Sequence, residues 1–186
     1  MKYKFINDLH LYAPNAILDE SVFSPLNSRE FYLGDNYDLA NCKKSDVKEV
    51  QDQVEKMKRI YGGRFISGNH ERQNDQDKFV LVTESVYAMH GDFIFWGEEK
   101  SRDYRSKPHG AGFLKRGVWV NALESFENGY DRKVNDTDLS RFIDLAVKID
   151  AKRIIVGHLH PSKQLDIECN GRLLTVLKRG VTELEL

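Results

Sequence analysis

The chain has 186 residues, enough for a sizeable core in one domain and short for two. Its 40% hydrophobic and 31% charged residues are those of a soluble globular protein, and 28 Lys plus Arg against 29 Asp plus Glu leave a net charge of -1. No global field favours nucleic acid or an anionic membrane, so any preference for an anion must come from a local site.

The opening residues, MKYKFINDLHLY, carry a polar Asn7-Asp8 pair where a signal peptide needs its apolar stretch. No apolar run approaches the ~20 residues of a membrane span, so the chain is expected in the cytoplasm. Cys42 and Cys169 lie far apart with no CxxC spacing, which predicts free thiols. Residues 3–7 and Glu30–Leu33 read as short buried strands, each followed at once by polar residues. Between them, residues 12–28 carry Pro14 and Pro25 and read as irregular.

Asp46 is placed to cap a helix with Glu49 as its capping-box partner. Val47, Val50, Val54 and Met57 give that helix one apolar face, and Gly62-Gly63 ends it. Strands are expected at residues 64–67, 79–82, 86–89 and 93–96. Residues 97–135 show no assignable pattern. Thr137 then caps a second helix with Leu139, Phe142, Ile143 and Ala146 inward. A strand at Arg153–Val156 follows, and the hairpin signal Asn170-Gly171 separates two more, at Leu165–Cys169 and residues 172–177. No repeat, low-complexity tract or linker divides the chain, which predicts one α/β domain over residues 1–186 with a strand-rich C-terminal end.

Each early strand stops in residues of metal-ligand type. The clusters are Asp8-Leu9-His10, Asp35 and Asp38 of GDNYD, Asn69-His70-Glu71 of GNHE, His90 and Asp92 of HGD, and His158 and His160 of GHLH. Loops at the carboxyl ends of strands in α/β folds converge on one crevice. Taken singly, each cluster reads as well as a helix cap, a turn or a hairpin tip. Five of the six histidines nevertheless fall in these clusters, and only His109 stands outside. Core or surface histidines would not sort themselves onto strand ends in this way.

The ordered set D-x-H, GD-x-x-D, GNH-E, H-G-D and G-H-x-H, spread over residues 8–160, resembles the signature of the calcineurin-like metallophosphoesterases. The resemblance implies a four-layer αββα sandwich, two mixed β-sheets flanked by helices, with a dinuclear metal site at the strand ends. It implies that Asp8, His10, Asp35 and His160 hold one ion and that Asp35, Asn69, His90 and His158 hold the other, with Asp35 bridging. The two histidines of GHLH would then serve one ion each. The resemblance also gives His70 the task of protonating the leaving oxygen or steadying the transition state. Asp38 would orient His70, unless it is an ordinary loop carboxylate.

Carboxylate, imidazole and amide ligands suit Mn, Fe, Co, Ni or Zn, with Mn expected first, and do not match the all-oxygen shells of Mg and Ca. Two such ions about 3.5–4 Å apart can clamp a phosphoryl group and hold a bridging hydroxide for in-line attack. The expected function is hydrolysis of a phosphate mono- or diester in a phosphorylated small molecule or nucleotide. Protein phosphatases of the superfamily carry arginine directly after the second aspartate, where this chain has Leu39. DLHL with HGD resembles the branch that contains UDP-2,3-diacylglucosamine hydrolase, although the polar segment here departs from that branch's apolar cap. A non-catalytic metal-binding scaffold is the reading from a different class.

Residues 97–117 hold Lys100, Arg102, Arg105, Lys107, Lys115 and Arg116 against Glu98, Glu99 and Asp103. Two readings stay open for this segment. Residues 97–135 form a lid or insertion whose Arg102, Arg105 and Lys107 contact an anionic substrate, or the segment is a solvated loop.

Overall fold

Among the residues described by the computed structural model (1–12, 29–71, 79–106 and 133–186), the chain forms two mixed β-sheets with helices packed on their outer faces. The first sheet contains β1 (Lys2–Asn7), β2 (Glu30–Leu33), β3 (Phe65–Ile66) and β9 (Gly180–Glu185) in the order β3-β2-β1-β9. Strands β1, β2 and β3 run parallel, and β9 returns antiparallel along β1 from Lys2↔Glu185 to Asn7↔Gly180. The second sheet contains β4 (Val80–Thr83), β5 (Val86–Met89), β6 (Arg153–Val156), β7 (Leu165–Cys169) and β8 (Arg172–Val176) in the order β4-β5-β6-β8-β7. Its centre, β5, β6 and β8, is parallel, and both edges are antiparallel.

Side-chain alternation explains the layers. Phe5, Phe31, Leu33, Ile66, Ala88 and Ile155 turn toward the space between the sheets, where Leu177 and Leu184 join them. Their strand neighbours Ile6, Tyr32 and Phe65 turn the other way, against Val50, Val54, Met57 and Tyr61 of helix α1 (Val47–Tyr61). Ile154 and Val156 likewise meet Phe142 and Ala146 of helix α4 (Asp136–Lys148), together with Ile94 and Phe95 of the short α2 (Asp92–Phe95). Inner strands covered on both faces need continuous apolar runs, which EFYL and RIIV supply. The architecture is the αββα sandwich. No helix among the described residues is long and apolar enough to cross a membrane, and both cysteines are free.

Several local expectations need correction. Residues 93–96 are not a strand: Gly91, at φ 114, turns the chain and its carbonyl accepts from Ile94 and Phe95, opening α2. The aromatic β-preference of this stretch yields to that turn. Asp46 does not cap α1, because it already has helical φ/ψ and its carboxylate accepts from Ser45, while Glu49 accepts from Tyr12. Asn135, not Thr137, caps α4, in a reciprocal capping box with Asp138. Part of the unassigned 97–135 stretch is helix α3 (Glu98–Arg105). Strand β9, which the periodicity did not single out, completes the first sheet. The irregular segment 13–28 and the remaining lid expectation at 107–132, including His109, lie outside the described residues. The Asn170-Gly171 turn has φ 50 and 70, the two positive values that a type I′ hairpin requires.

Candidate metal centre

The parallel strands of both sheets end on the same side, and their following loops interlock. After β1, the N–H groups of Asp8, His10 and Leu11 donate to the carbonyls of Gly34, Asp35 and Asn36 after β2. Gly68 after β3 lies so close to Asp35 that a Cβ there would come within 2.7 Å of the carboxylate carbon. Between the sheets, Gly157 packs on Asp8, where a Cβ would meet Oδ2 at 2.6 Å. The His158 N–H donates to that same oxygen at 3.0 Å. Glycines in GD, GN and GH thus permit the close approach of loops that carry polar side chains.

Asp8, His10, Asp35, Asn69, His90 and His158 are buried, and His160 is half-buried. Ligand-type atoms of Asp8, His10 and His160 gather within 4.8 Å of one another, and so do those of Asp35, His90 and His158. His160 Nε2 is 3.1 Å from Asp8 Oδ1. His90 Nε2 is 3.2 Å from Asp35 Oδ2, 3.0 Å from Asn69 Oδ1 and 3.1 Å from His158 Nδ1. Its other nitrogen, Nδ1, donates to the Leu33 carbonyl at 2.8 Å, which directs Nε2 to the centre.

The backbone carries a further mark. Asp8, His10, Asp35, His158 and His160 all have φ between 49 and 74. L-residues rarely adopt this left-handed region, and such strain concentrates at functional sites.

Beside these two groups, Asp38 joins His10 and His70 in a third. Its Oδ1 lies 3.0 Å from His70 Nδ1, and its Oδ2 lies 3.2 Å from His10 Nδ1. The His70 N–H donates to Asp35 Oδ1 at 2.7 Å, so the half-buried imidazole is fixed next to the bridging candidate. Asp38 therefore touches both a ligand candidate and the candidate acid.

Charge and burial act in opposition here. Burial alone would raise the Asp35 carboxyl, but His90, His70 and His10 outweigh it and hold the group well below its ordinary value. Asp8 is likewise held low against burial by His160 and His90, and Asp38 by His70 and His10. Burial pushes His158 well below the usual imidazole value, with His90 adding to the effect, and lowers His10 against the pull of Asp38. His90 goes the other way: Asp35 and Asp8 overcome its burial and push it up to about 10. Three carboxylates held low thus lie beside the imidazoles of His10 and His158, which burial drives toward the neutral form. The buried His10 Nε2 and His158 Nε2 have no hydrogen-bond partner among the described residues. Oriented lone pairs without donors, next to anionic oxygens, match the donor set of a divalent transition metal.

The three substrate-contact candidates separate. Arg102 is exposed and pairs with Glu98 one helical turn away. Arg105 does not sit on a surface loop: it is buried, its guanidinium donating twice to Asp92 at 3.0 Å and once to the Ser67 carbonyl at 3.0 Å. Lys107 lies outside the described residues.

Other residues at the site carried no distinctive sequence signal. Asn41 donates to Asp38 from both backbone and side chain. Arg179 donates to the carbonyls of Asp8 and Leu9. Phe95 stacks parallel to the His158 ring at 6.0 Å, and Trp96 meets it edge-on at 4.6 Å. The only available hint for Glu71 was its place in GNHE.

No protein-family profile and no curated protein sequence matches the chain. Among solved structures, the chain is similar to vacuolar protein sorting 29 from Cryptosporidium parvum, at 14% identity and a TM-score of 0.46, over 96% of this chain and 74% of that one. It is also similar to the cold-active protein-tyrosine phosphatase of a psychrophilic Shewanella species, at 14% identity and a TM-score of 0.44, over 99% and 75% of the two chains. At those values neither likeness says what this chain does.

Proposed function

We propose that the chain is a metal-dependent phosphoesterase of the calcineurin-like type. The observation that carries this reading is the meeting of Asp8, His10 and His160 with Asp35, His90 and His158 at the ends of strands from two different sheets. In this reading Asp8, His10, Asp35 and His160 hold one ion, and Asp35, Asn69, His90 and His158 hold a second. Two bound transition-metal ions, Mn foremost, supply Lewis acidity toward a phosphoryl group and a nucleophile at neutral pH.

The remaining work falls to the chain. His70 donates a proton from Nε2 to the leaving oxygen, while Asp38 accepts from Nδ1 and steadies the cationic ring. The His70–Asp35 backbone contact keeps that ring at a fixed distance from the centre. The buried Phe95 and the half-buried Trp96 on the His158 side limit water around the imidazoles. The substrate is a phosphorylated small molecule or a nucleotide.

The test strips metal with a chelator and then measures hydrolysis of an aryl phosphate monoester and diester as Mn, Fe, Co, Ni or Zn is returned. Turnover is expected only after metal addition, with metal retained through gel filtration. Full activity at less than about one tenth of an ion per chain overturns the reading.

A further inference from the structure

Glu71 is fully buried, five residues past the end of β3, and neither the ligand set nor the proton donor employs it. Its carboxylate accepts four backbone N–H groups. Oε2 takes those of Asp35 and Gly68, each at 2.7 Å; Oε1 takes those of Asn36 at 2.6 Å and Tyr37 at 3.0 Å. Two acceptor sites on each oxygen are thus filled by backbone N–H groups.

The donors come from two different loops. Asp35, Asn36 and Tyr37 follow β2, and Gly68 follows β3; regular sheet pairing satisfies none of these four N–H groups. A buried N–H without a partner is costly, so a single acceptor group at their focus fixes both loops at once. Two side chains then depend on that focus. Asp35, at φ 51, is held in a conformation it rarely adopts, and its Oδ1 accepts the His70 N–H. Asn69 follows Gly68 directly and faces His90. Glycine at 34 and 68 completes the lock, since a Cβ on Gly34 would meet the Gly68 nitrogen at 2.5 Å.

We propose that Glu71 is the positioning residue of the centre: it clamps the loops after β2 and β3 together and thereby sets Asp35 against Asn69 and His70. The inference rests on the metal-centre reading for its consequence, but the clamp itself can be tested without metal. Glutamine cannot replace the carboxylate, because its amide group would confront N–H donors with another donor. Aspartate keeps the two acceptor oxygens and loses reach, so one of the two loops is released.

The experiment compares wild type, Glu71→Gln and Glu71→Asp by per-residue amide hydrogen exchange, by Mn titration and by turnover of an aryl phosphate at saturating Mn. In Glu71→Gln, exchange at Asp35, Asn36, Tyr37 and Gly68 should accelerate selectively while the sheet amides stay protected. Apparent Mn affinity should fall about 10–100-fold, as for partners that orient metal ligands, and kcat should fall with KM little changed. Glu71→Asp should move the same readouts in the same direction by less, and it decides the matter if the glutamine variant does not fold. Unchanged exchange at the four amides, or faster exchange with Mn affinity intact, overturns the assignment; so does acceleration spread evenly over the whole chain. A wild-type chain that binds no metal would sink the metal-centre reading instead, while the four amides would still judge the clamp.

Discussion

The two sheets bring unlike chemistry to one crevice. The first supplies Asp8, His10, Asp35, Asn69 and the candidate acid His70, and its loops are held by polar contacts: Glu71 on four backbone N–H groups, and Asn41 and Asp38 around the histidines. The second supplies His90, His158 and His160, and its surroundings are apolar, with Phe95 and Trp96 against His158. Among the described residues, the buried pair of Arg105 and Asp92 is a polar strut on that side. The consequence appears in the imidazoles. His90 faces the carboxylates of the first sheet and is pushed up to about 10, whereas burial drives its neighbour His158 down. The first sheet sets charge and geometry; the second sets dryness. A centre whose ligands come from both would fasten the sheets together wherever a metal is bound.

Removing Asp35, the proposed bridge, is the strongest way to break this division of labour. Asp35→Asn should abolish turnover and strip metal, because an amide presents one oxygen where two ions each need one. Two ions retained in that variant, by elemental analysis, would detach Asp35 from the centre. His70→Asn comes next. It should keep the metals and lose about 10²–10⁴-fold in rate toward a poor leaving group, with a smaller loss for acidic phenols. Equal losses for both leaving groups would make His70 a phosphate contact instead of an acid, and loss of one ion would make it a ligand.

The strut of the second sheet is tested by Arg105→Ala. The substitution leaves Asp92 buried without its partner, so unfolding by urea should show a loss of about 3–5 kcal/mol. The Arg105 guanidinium also reaches the Ser67 carbonyl just before Gly68, so it links the helix α3 to the first sheet. A loss of stability below about 1 kcal/mol would mean that the pair is solvated in solution.

These arginines show where the sequence is legible and where it is not. Strands such as EFYL and RIIV could be read because burial on both faces imposes an unbroken apolar run, and the clusters after them because histidine and aspartate seldom end a strand without reason. Helix α2 could not be read: FIFW has local β-preference, and what turns it into a helix is the left-handed Gly91 before it. Arg105 looked like one more surface cation, since its partner Asp92 is thirteen residues away and only the fold buries the two together. Glu71 has the same difficulty, because its four partners are backbone N–H groups, which no side-chain pattern encodes. The left-handed φ values of Asp8, His10, Asp35, His158 and His160 are also invisible in a sequence where glycine would have been the natural signal.

The electrostatic contrast makes a prediction of its own. His90 of the metal-free protein stays protonated up to about 10, and that proton must leave before Nε2 can bind an ion. Mn affinity of the chelator-treated protein should therefore rise with pH, by about tenfold per unit for one displaced proton, through the range below 10. Competition between proton and metal has this sign only, so affinity independent of pH between 6 and 8 would remove His90 from the ligand set.

The smallest effect is expected only three residues from the largest structural one. Arg102 lies on α3 like Arg105, but on the solvent side, where its contact with Glu98 is an exposed i,i+4 pair. Water screens both charges, and holding two long side chains together costs rotamer freedom, so Arg102→Ala should lower stability by about 0.3–0.5 kcal/mol at most. Added salt should shrink even that difference. The expectation that Arg102 and Arg105 act together on an anionic substrate requires similar changes in KM for both variants. The structure gives them different surroundings, so their effects should separate: Arg105→Ala through folding stability, and Arg102→Ala through KM for a highly charged substrate or through nothing measurable. An Arg102→Ala enzyme whose KM rises for a nucleotide polyphosphate but not for a small aryl ester would make α3 part of the substrate path. An unchanged ratio of the two kcat/KM values would leave α3 as a strut on its inner face and solvated helix on its outer one.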